Sequence, residues 1–175
     1  MKRLTSAMAG AAIAMLLPVA AFSAGDGGGT SDNQTAEQCP TGKVWDKKKQ
    51  KCVRAETSLP QDMIYEGGYD LAMAGRYEDA IRLLSLAPDK NDPRVLNYLG
   101  YSHRKAGRVQ VGLGYYEEAL RANPDYVLAR EYMGEAYLTI GDVASAKGQL
   151  DEIARRAGTS SAEFARLAGL IAAAG

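Results

Sequence analysis

Residues 93–126 read PRVLNYLGYSHRKAGRVQVGLGYYEEALRANPDY, and this stretch decides the fold. Its apolar side chains recur every three or four residues, which is the period of an α-helix. Gly107 interrupts the pattern near its middle, and Pro124 stops it near its end. The stretch therefore predicts two helices joined by a tight turn.

The same arrangement occurs on both sides of this stretch, because similar residues recur at separations of 32 and 34 residues. The columns related in this way are Gly75, Gly107 and Gly141; Gly68, Gly100 and Gly134; Ala80, Gly112 and Ala146; and Leu84, Tyr116 and Leu150. Internal periods of this length indicate stacked helix pairs. We expect the first column to end the first helix of each pair in a left-handed conformation, and the small residues of the next two columns to let the paired helices approach closely.

These residues resemble the tetratricopeptide repeat, whose pattern is tryptophan, two residues, leucine-glycine, two residues, tyrosine, then alanine, phenylalanine and proline. The middle unit matches it best, with Leu96, Leu99-Gly100, Gly107, Tyr116, Ala119-Leu120 and Pro124. The resemblance covers residues 60–156 and departs from the pattern at three positions. Gly67 replaces the usual leucine, His103 an aromatic residue, and Arg130 the usual tryptophan.

The fold class that this resemblance implies is all-α, with three helix-turn-helix repeats in a short solenoid. The predicted repeats are 60–92, 93–126 and 127–158, and residues 159–175 are predicted to form a helix that caps the last repeat. Thr159 or Ser160 is expected to cap the start of that helix, with Glu163 as the reciprocal partner of Ser160.

The first 24 residues have the features of a secretory signal peptide. Lys2 and Arg3 precede an apolar run from Ala7 to Phe22, which is too short and too rich in alanine to span a bilayer. We therefore expect a cleaved leader, a mature chain without a transmembrane anchor, and a periplasmic or secreted bacterial location; an uncleaved amphipathic helix is the alternative. Residues 25–38 are rich in glycine and polar residues and predict a flexible linker.

Residues 39–54, CPTGKVWDKKKQKCVR, are predicted to form a small separate unit. Cys39 and Cys52 are the only cysteines, and export would place them in an oxidising compartment, so a disulfide is expected. Metal binding is the alternative, although two cysteines and one distant histidine form a poor ligand set. Short strands are expected on both sides of the lysines. A hairpin of this size has no core of its own, so it would depend on the bridge, worth roughly 3 kcal/mol.

The resemblance also implies a binding surface, because repeats of this family bind peptides or proteins in a concave groove lined by the first helix of each pair. Tyrosine and arginine are typical of such surfaces. Alternatively, each of these side chains is an ordinary solvated or packing residue. The groove residues that it implies are Tyr65, Tyr69, Asn97, Tyr101, Arg104, Lys105, Glu131, Glu135 and Leu138.

The hairpin offers a second candidate surface, since its basic residues surround Trp45 and have only Asp46 as a local opposite charge. Such a patch could contact the cell wall or an anionic lipid, or it could be a solvated turn. The basic residues are Lys43, Lys47, Lys48, Lys49, Lys51 and Arg54.

The sequence offers little to support catalysis or nucleic-acid binding. The 21 basic and 21 acidic residues balance, so no net charge favours nucleic acid. The single histidine, His103, falls in a packing column, and no glycine-rich phosphate loop precedes a helix. We therefore predict a non-enzymatic, cofactor-free adaptor that binds a protein or peptide partner, with an envelope-tethering protein as the alternative.

Overall fold

The computed structural model describes residues 39–174; the predicted leader and linker, residues 1–38, lie outside them. This part of the chain begins with two antiparallel strands, β1 (Lys43–Asp46) and β2 (Lys51–Arg54). Cys39 and Cys52 form the expected disulfide, with their Cα atoms 5.6 Å apart. The predicted disulfide-closed hairpin is therefore confirmed.

Three helix pairs and one further helix follow the hairpin in the described chain. Their bounds are α1 Gln61–Met73, α2 Tyr77–Leu84, α3 Pro93–Lys105, α4 Val109–Ala122, α5 Val127–Thr139, α6 Val143–Ala157 and α7 Ala162–Ala174. Each pair packs against the next, and α7 packs against both α5 and α6. The predicted all-α solenoid with a terminal capping helix is therefore confirmed.

Glycines in the left-handed region end the first helix of every pair. Gly75, Gly107 and Gly141 have φ values of 76°, 84° and 79°. The residue after each glycine donates its N–H to a carbonyl five residues back at 2.9 Å, as Arg76 does to Leu71. This bond, with the one donated by the glycine itself, forms a Schellman motif that satisfies carbonyls left free at the helix end.

The second glycine column lets the two helices of a pair approach closely in the first two pairs, as predicted. A Cβ on Gly68 would lie 2.3 Å from Cδ2 of Leu84, and a Cβ on Gly100 would lie 2.7 Å from Cε1 of Tyr116. The third member differs, because a Cβ on Gly134 would meet Cδ2 of Leu167 in α7 at 2.6 Å. This glycine therefore makes room for the capping helix.

The hairpin is not the separate unit that the sequence suggested. Val44 is buried and belongs to the core cluster that contains Ile64, Leu71 and Leu83. A Cβ on Gly67 would lie 2.2 Å from Cγ2 of Val44. The glycine that replaces the usual leucine therefore leaves the space in which the Val44 side chain packs against α1. The hairpin thus shares the core of the first repeat.

The start of the capping helix also differs from the prediction. Ser161, rather than Thr159 or Ser160, caps it, because its Oγ accepts the N–H of Phe164 at 3.2 Å. Leu167 is fully buried and secures the helix against α5.

Candidate functional site

Five tyrosines on the first helices of the three pairs form a continuous aromatic surface, which we call the tyrosine surface. They are Tyr65 and Tyr69 on α1, Tyr98 and Tyr101 on α3, and Tyr132 on α5. The rings are joined because α1 packs against α3, and α3 against α5. This arrangement follows from the repeat, since the same helix of each unit faces the same side.

Tyr98 forms the floor of the tyrosine surface and is only 4% exposed. Its ring centroid lies 5.0 Å from that of Tyr69, 5.9 Å from that of Tyr65 and 6.1 Å from that of Tyr101. Tyr132 continues the row with a centroid 5.2 Å from that of Tyr101. These separations are those of packed aromatic pairs, which stabilise one another in tilted or edge-to-face arrangements.

The outer tyrosines remain accessible to a partner. Tyr69 is 39% exposed, and Tyr65, Tyr101 and Tyr132 are half-buried. Burial raises the pKa of Tyr65 and Tyr101, and it raises the pKa of Tyr132 to about 12. Burial therefore favours the protonated phenol over the phenolate in these three residues.

Two residues predicted to line the groove are buried instead. Asn97 is 0% exposed and Glu131 is 1% exposed. Both carboxylate oxygens of Glu131 accept hydrogen bonds from Arg166 of α7, at 2.6 Å each. Asn97 and Glu131 occupy the same repeat column as the accessible Tyr65, so neighbouring elements rather than column position decide exposure. Asn97 and Glu131 are therefore not part of the accessible surface.

Arg104 also differs from the prediction, because it lies beneath the tyrosine surface and is 9% exposed. Its Nη2 lies 2.8 Å from Oε2 of Glu135, and its Nε donates to the Tyr116 hydroxyl at 3.3 Å. Its guanidinium carbon lies 5.5 Å from the ring centroid of Tyr101 and 5.8 Å from that of Tyr132. Arg104 therefore supports the tyrosine rings from below, and Glu135 balances its charge.

Lys105 and Leu138 complete the set of predicted groove residues. Lys105 is exposed, its Nζ lies 6.0 Å from the Tyr101 ring centroid, and it makes no ion pair within residues 39–174. Leu138 is half-buried and lines a depression of about 350 Å³ between α5 and α7, where Leu170 is 44% exposed. The accessible surface thus runs from aromatic rings, past one lysine, to an apolar edge.

Sequence reasoning missed three members of this surface. Tyr98 and Tyr132 are 34 residues apart, so their shared repeat position was a signal that could have identified them. Arg94 was not predicted either; its guanidinium carbon lies 4.6 Å from the ring centroid of Tyr65. Arg94 is paired with Asp92 at 2.7 Å and with Asp62 at 3.0 Å.

The basic residues of the hairpin are exposed, but acidic side chains lie closer than the sequence indicated. Lys47 Nζ lies 2.9 Å from Oε2 of Glu66 on α1, and Lys49 Nζ lies 3.4 Å from Oδ2 of Asp46. Asp46 is therefore not the only opposite charge near the lysines. A cleft of about 660 Å³ between the hairpin and α1 is lined by Trp45 and by side chains of both charges.

The single histidine has structural contacts. The His103 ring stacks on Tyr115 with centroids 5.3 Å apart, and its Nδ1 accepts a hydrogen bond from Nε of Arg108 at 2.9 Å. Burial lowers the pKa of His103, which favours the neutral ring. In residues 39–174, no group of three or more His, Cys, Asp or Glu side chains is placed to hold a metal ion. No helix in this part of the chain is long and apolar enough to span a bilayer.

Solved structures with this fold include peptide complexes. The Yersinia enterocolitica type III secretion chaperone SycD, in complex with a peptide of the translocator YopD, aligns with a TM-score of 0.57 and 20% identity over 65% of this chain and 90% of that chain. The first tetratricopeptide domain of Spaghetti (RPAP3), bound to the HSP90 peptide SRMEEVD, aligns with a TM-score of 0.57 and 17% identity over 65% of this chain and 91% of that chain. At these identities the likeness shows the fold.

A curated relative is the uncharacterized protein ycf37 of Pyropia yezoensis, which is 32% identical over 59 residues. The match spans 34% of this chain and 33% of that protein, so it covers about a third of each.

The family model described as tetratricopeptide repeat matches residues 65–127 and 97–162, which together are more than half of the chain. The matched residues contain the paired helices, the glycine turns and the close helix contacts that the repeat columns predicted. The chain belongs to the tetratricopeptide repeat family.

Proposed function

We propose that this protein is a non-enzymatic adaptor that binds a peptide or protein partner on the tyrosine surface. The single observation that carries the proposal is that the outer rings of Tyr65, Tyr69 and Tyr101 are at least partly accessible and carry free hydroxyl groups. Within the described chain, the hydroxyls of Tyr65, Tyr69 and Tyr101 make no hydrogen bond. Aromatic side chains that combine a large contact area with unused donors are typical of binding surfaces.

Two of the structural neighbours support a peptide-binding role. SycD was solved with a YopD peptide, and the RPAP3 domain with an HSP90 peptide. Each alignment covers 65% of this chain.

The proposal includes an exported location in the cell envelope. A positive start followed by the apolar run from Ala7 to Phe22 supports export. The Cys39–Cys52 disulfide agrees with an oxidising compartment, because cytosolic thiols are kept reduced. Fusing residues 1–24 to a reporter that is active only after export tests this part; an inactive fusion would contradict it.

The adaptor proposal is tested by comparing cross-linked pull-downs of wild type and of a Tyr69→Ala, Tyr101→Ala double variant from the native cell. Val111→Ala is the matched control, because Val111 is 45% exposed on α4, away from the tyrosine surface. We expect a discrete partner that wild type and the control retain and the double variant loses. Retention of the same partner by all three proteins would place binding elsewhere.

Arg104 is left unchanged in this test. It is buried against Glu135 and Tyr116, so its loss would disturb the fold as well as the surface.

A second candidate function is tethering to a polyanionic envelope component through the hairpin. The observation that favours it is that Lys43, Lys47, Lys48, Lys49 and Lys51 are all exposed on the hairpin. The test is co-sedimentation with anionic lipid vesicles and with isolated cell wall at low and high salt. Loss of salt-sensitive binding on changing Lys47, Lys48 and Lys49 to glutamine would support tethering, and no sedimentation at low salt would exclude it.

A further inference from the structure

We propose that the tyrosine surface binds a proline-rich segment in the polyproline II conformation, an inference that rests on the adaptor function proposed above. The occupant is defined by its chemistry: it is apolar, close to neutral in charge, and rich in carbonyl acceptors but poor in N–H donors.

The ring geometry supports such an occupant. The ring centroids of the two partly accessible neighbours Tyr101 and Tyr132 lie 5.2 Å apart. A polyproline II helix rises about 3.1 Å per residue, so residues about two positions apart along it match this separation. Aromatic-lined grooves are one of the recurring ways in which proteins recognise proline-rich segments, because flat rings pack against proline rings and the ligand is already ordered.

Hydrogen bonding supports the same occupant and disfavours two others. The free hydroxyls of Tyr65, Tyr69 and Tyr101 are available as hydrogen-bond donors. A polyproline II segment has no internal hydrogen bonds, so its carbonyls are available to accept from them. The carbonyls of an amphipathic helix are already bonded within the helix, and a β-strand would need a sheet edge, which this surface of helices does not provide.

The charges argue against a strongly acidic peptide. Arg94 is paired with Asp92 and Asp62, and Arg104 lies 2.8 Å from Glu135, so neither cation is free to bind a carboxylate. Lys105 alone among the cations at this surface has no ion pair in the described chain. A neutral segment therefore matches the surface better than a peptide such as SRMEEVD.

The experiment is calorimetric titration of the full oxidised mature chain with a blocked peptide of about nine prolines. We expect saturable binding that is weakened about tenfold or more by Tyr69→Ala, which removes the most exposed ring. Tyr101→Phe should weaken binding about fivefold, because it removes one donor while keeping the ring and the packing. Val111→Ala should bind like wild type.

Two comparison peptides distinguish other occupants: SRMEEVD, and a leucine-rich amphipathic helical peptide. The proposal is overturned if the proline peptide does not bind, if either comparison peptide binds more tightly, or if Tyr69→Phe and Tyr101→Phe together leave its affinity unchanged. Such a failure is distinct from failure of the adaptor proposal, which depends on the pull-down partner and not on the proline peptide.

Discussion

Gly67 provides a direct test of the packing between the hairpin and the first repeat. Replacing it with alanine would place a Cβ 2.2 Å from Cγ2 of Val44 and 3.0 Å from Cδ2 of Leu83. The leucine methyl can move by rotation, but Val44 is β-branched and sits in a strand, so it cannot turn away freely. The hairpin must shift, or the core must be strained.

The expected magnitude combines two opposing effects. Overpacking a closed site costs about 1–3 kcal/mol, while replacing glycine by alanine inside a helix gains about 1 kcal/mol. We therefore expect Gly67→Ala to lower the free energy of unfolding by up to about 2 kcal/mol. Gly148→Ala is the matched control, because Gly148 is exposed within α6 and a Cβ there would meet no atom within 4 Å. The control should gain about 1 kcal/mol.

The assay is urea unfolding of the oxidised protein, followed by circular dichroism, for Gly67→Ala, Val44→Ala and the double variant. In the Val44→Ala background the clash is absent, so Gly67→Ala should gain stability and the cycle should show a coupling of about 1–3 kcal/mol. The packing of Val44 against Gly67 would be refuted if the two single changes in unfolding free energy added to that of the double variant within about 0.5 kcal/mol. It would also be refuted if Gly67→Ala stabilised the protein as much as Gly148→Ala.

Three further predictions follow from other contacts. Reducing the Cys39–Cys52 bridge should lower the free energy of unfolding by roughly 3 kcal/mol; a matched Cys→Ser pair checks this by urea unfolding, and equal stability of the two forms would contradict it. Arg166→Ala should lower the free energy of unfolding by roughly 1–3 kcal/mol, because it leaves the buried Glu131 carboxylate without its partner. The double change Arg166→Met, Glu131→Met should recover much of that loss. An Arg166→Ala variant as stable as wild type in urea unfolding would be inconsistent with the pair. Burial raises the pKa of Tyr132 to about 12, above the value of about 10 expected for an unfolded chain. The unfolded state therefore loses this proton first as the pH rises. The stability that protonated Tyr132 contributes is fully present below about pH 10 and declines between about pH 10 and 12. Urea midpoints measured across that range should fall, and fall less in Tyr132→Phe; a flat profile would count against the burial of these phenols.

The repeat could be predicted from the sequence because its signals are local and recur. The glycines at 75, 107 and 141 mark chain reversals, and each reversal depends only on the residues within a few positions of it. The spacing of 32 and 34 residues then placed the helices in register. The disulfide could also be predicted from the sequence, because the two cysteines flank a short basic turn.

The candidate surface was harder to predict because exposure depends on distant parts of the chain. Tyr65, Asn97 and Glu131 share one repeat column, yet only Tyr65 is accessible. Glu131 is covered through Arg166, which lies 35 residues away. In the same way, the sequence showed only that Gly67 departs from the repeat pattern. The structure shows the reason, because Val44 of β1 occupies the space that a side chain at position 67 would need.

The measurement that tests the central claim most directly is site-specific photo-cross-linking in the living cell. A photoreactive phenylalanine analogue replaces Tyr69 in one strain and Val111 in another, because both side chains are well exposed but lie on different faces. If the tyrosine surface binds the partner, irradiation should give a discrete adduct at position 69 that is absent at 111 and is reduced by Tyr101→Ala. Adducts of equal yield at both positions, or at 111 alone, would contradict the account.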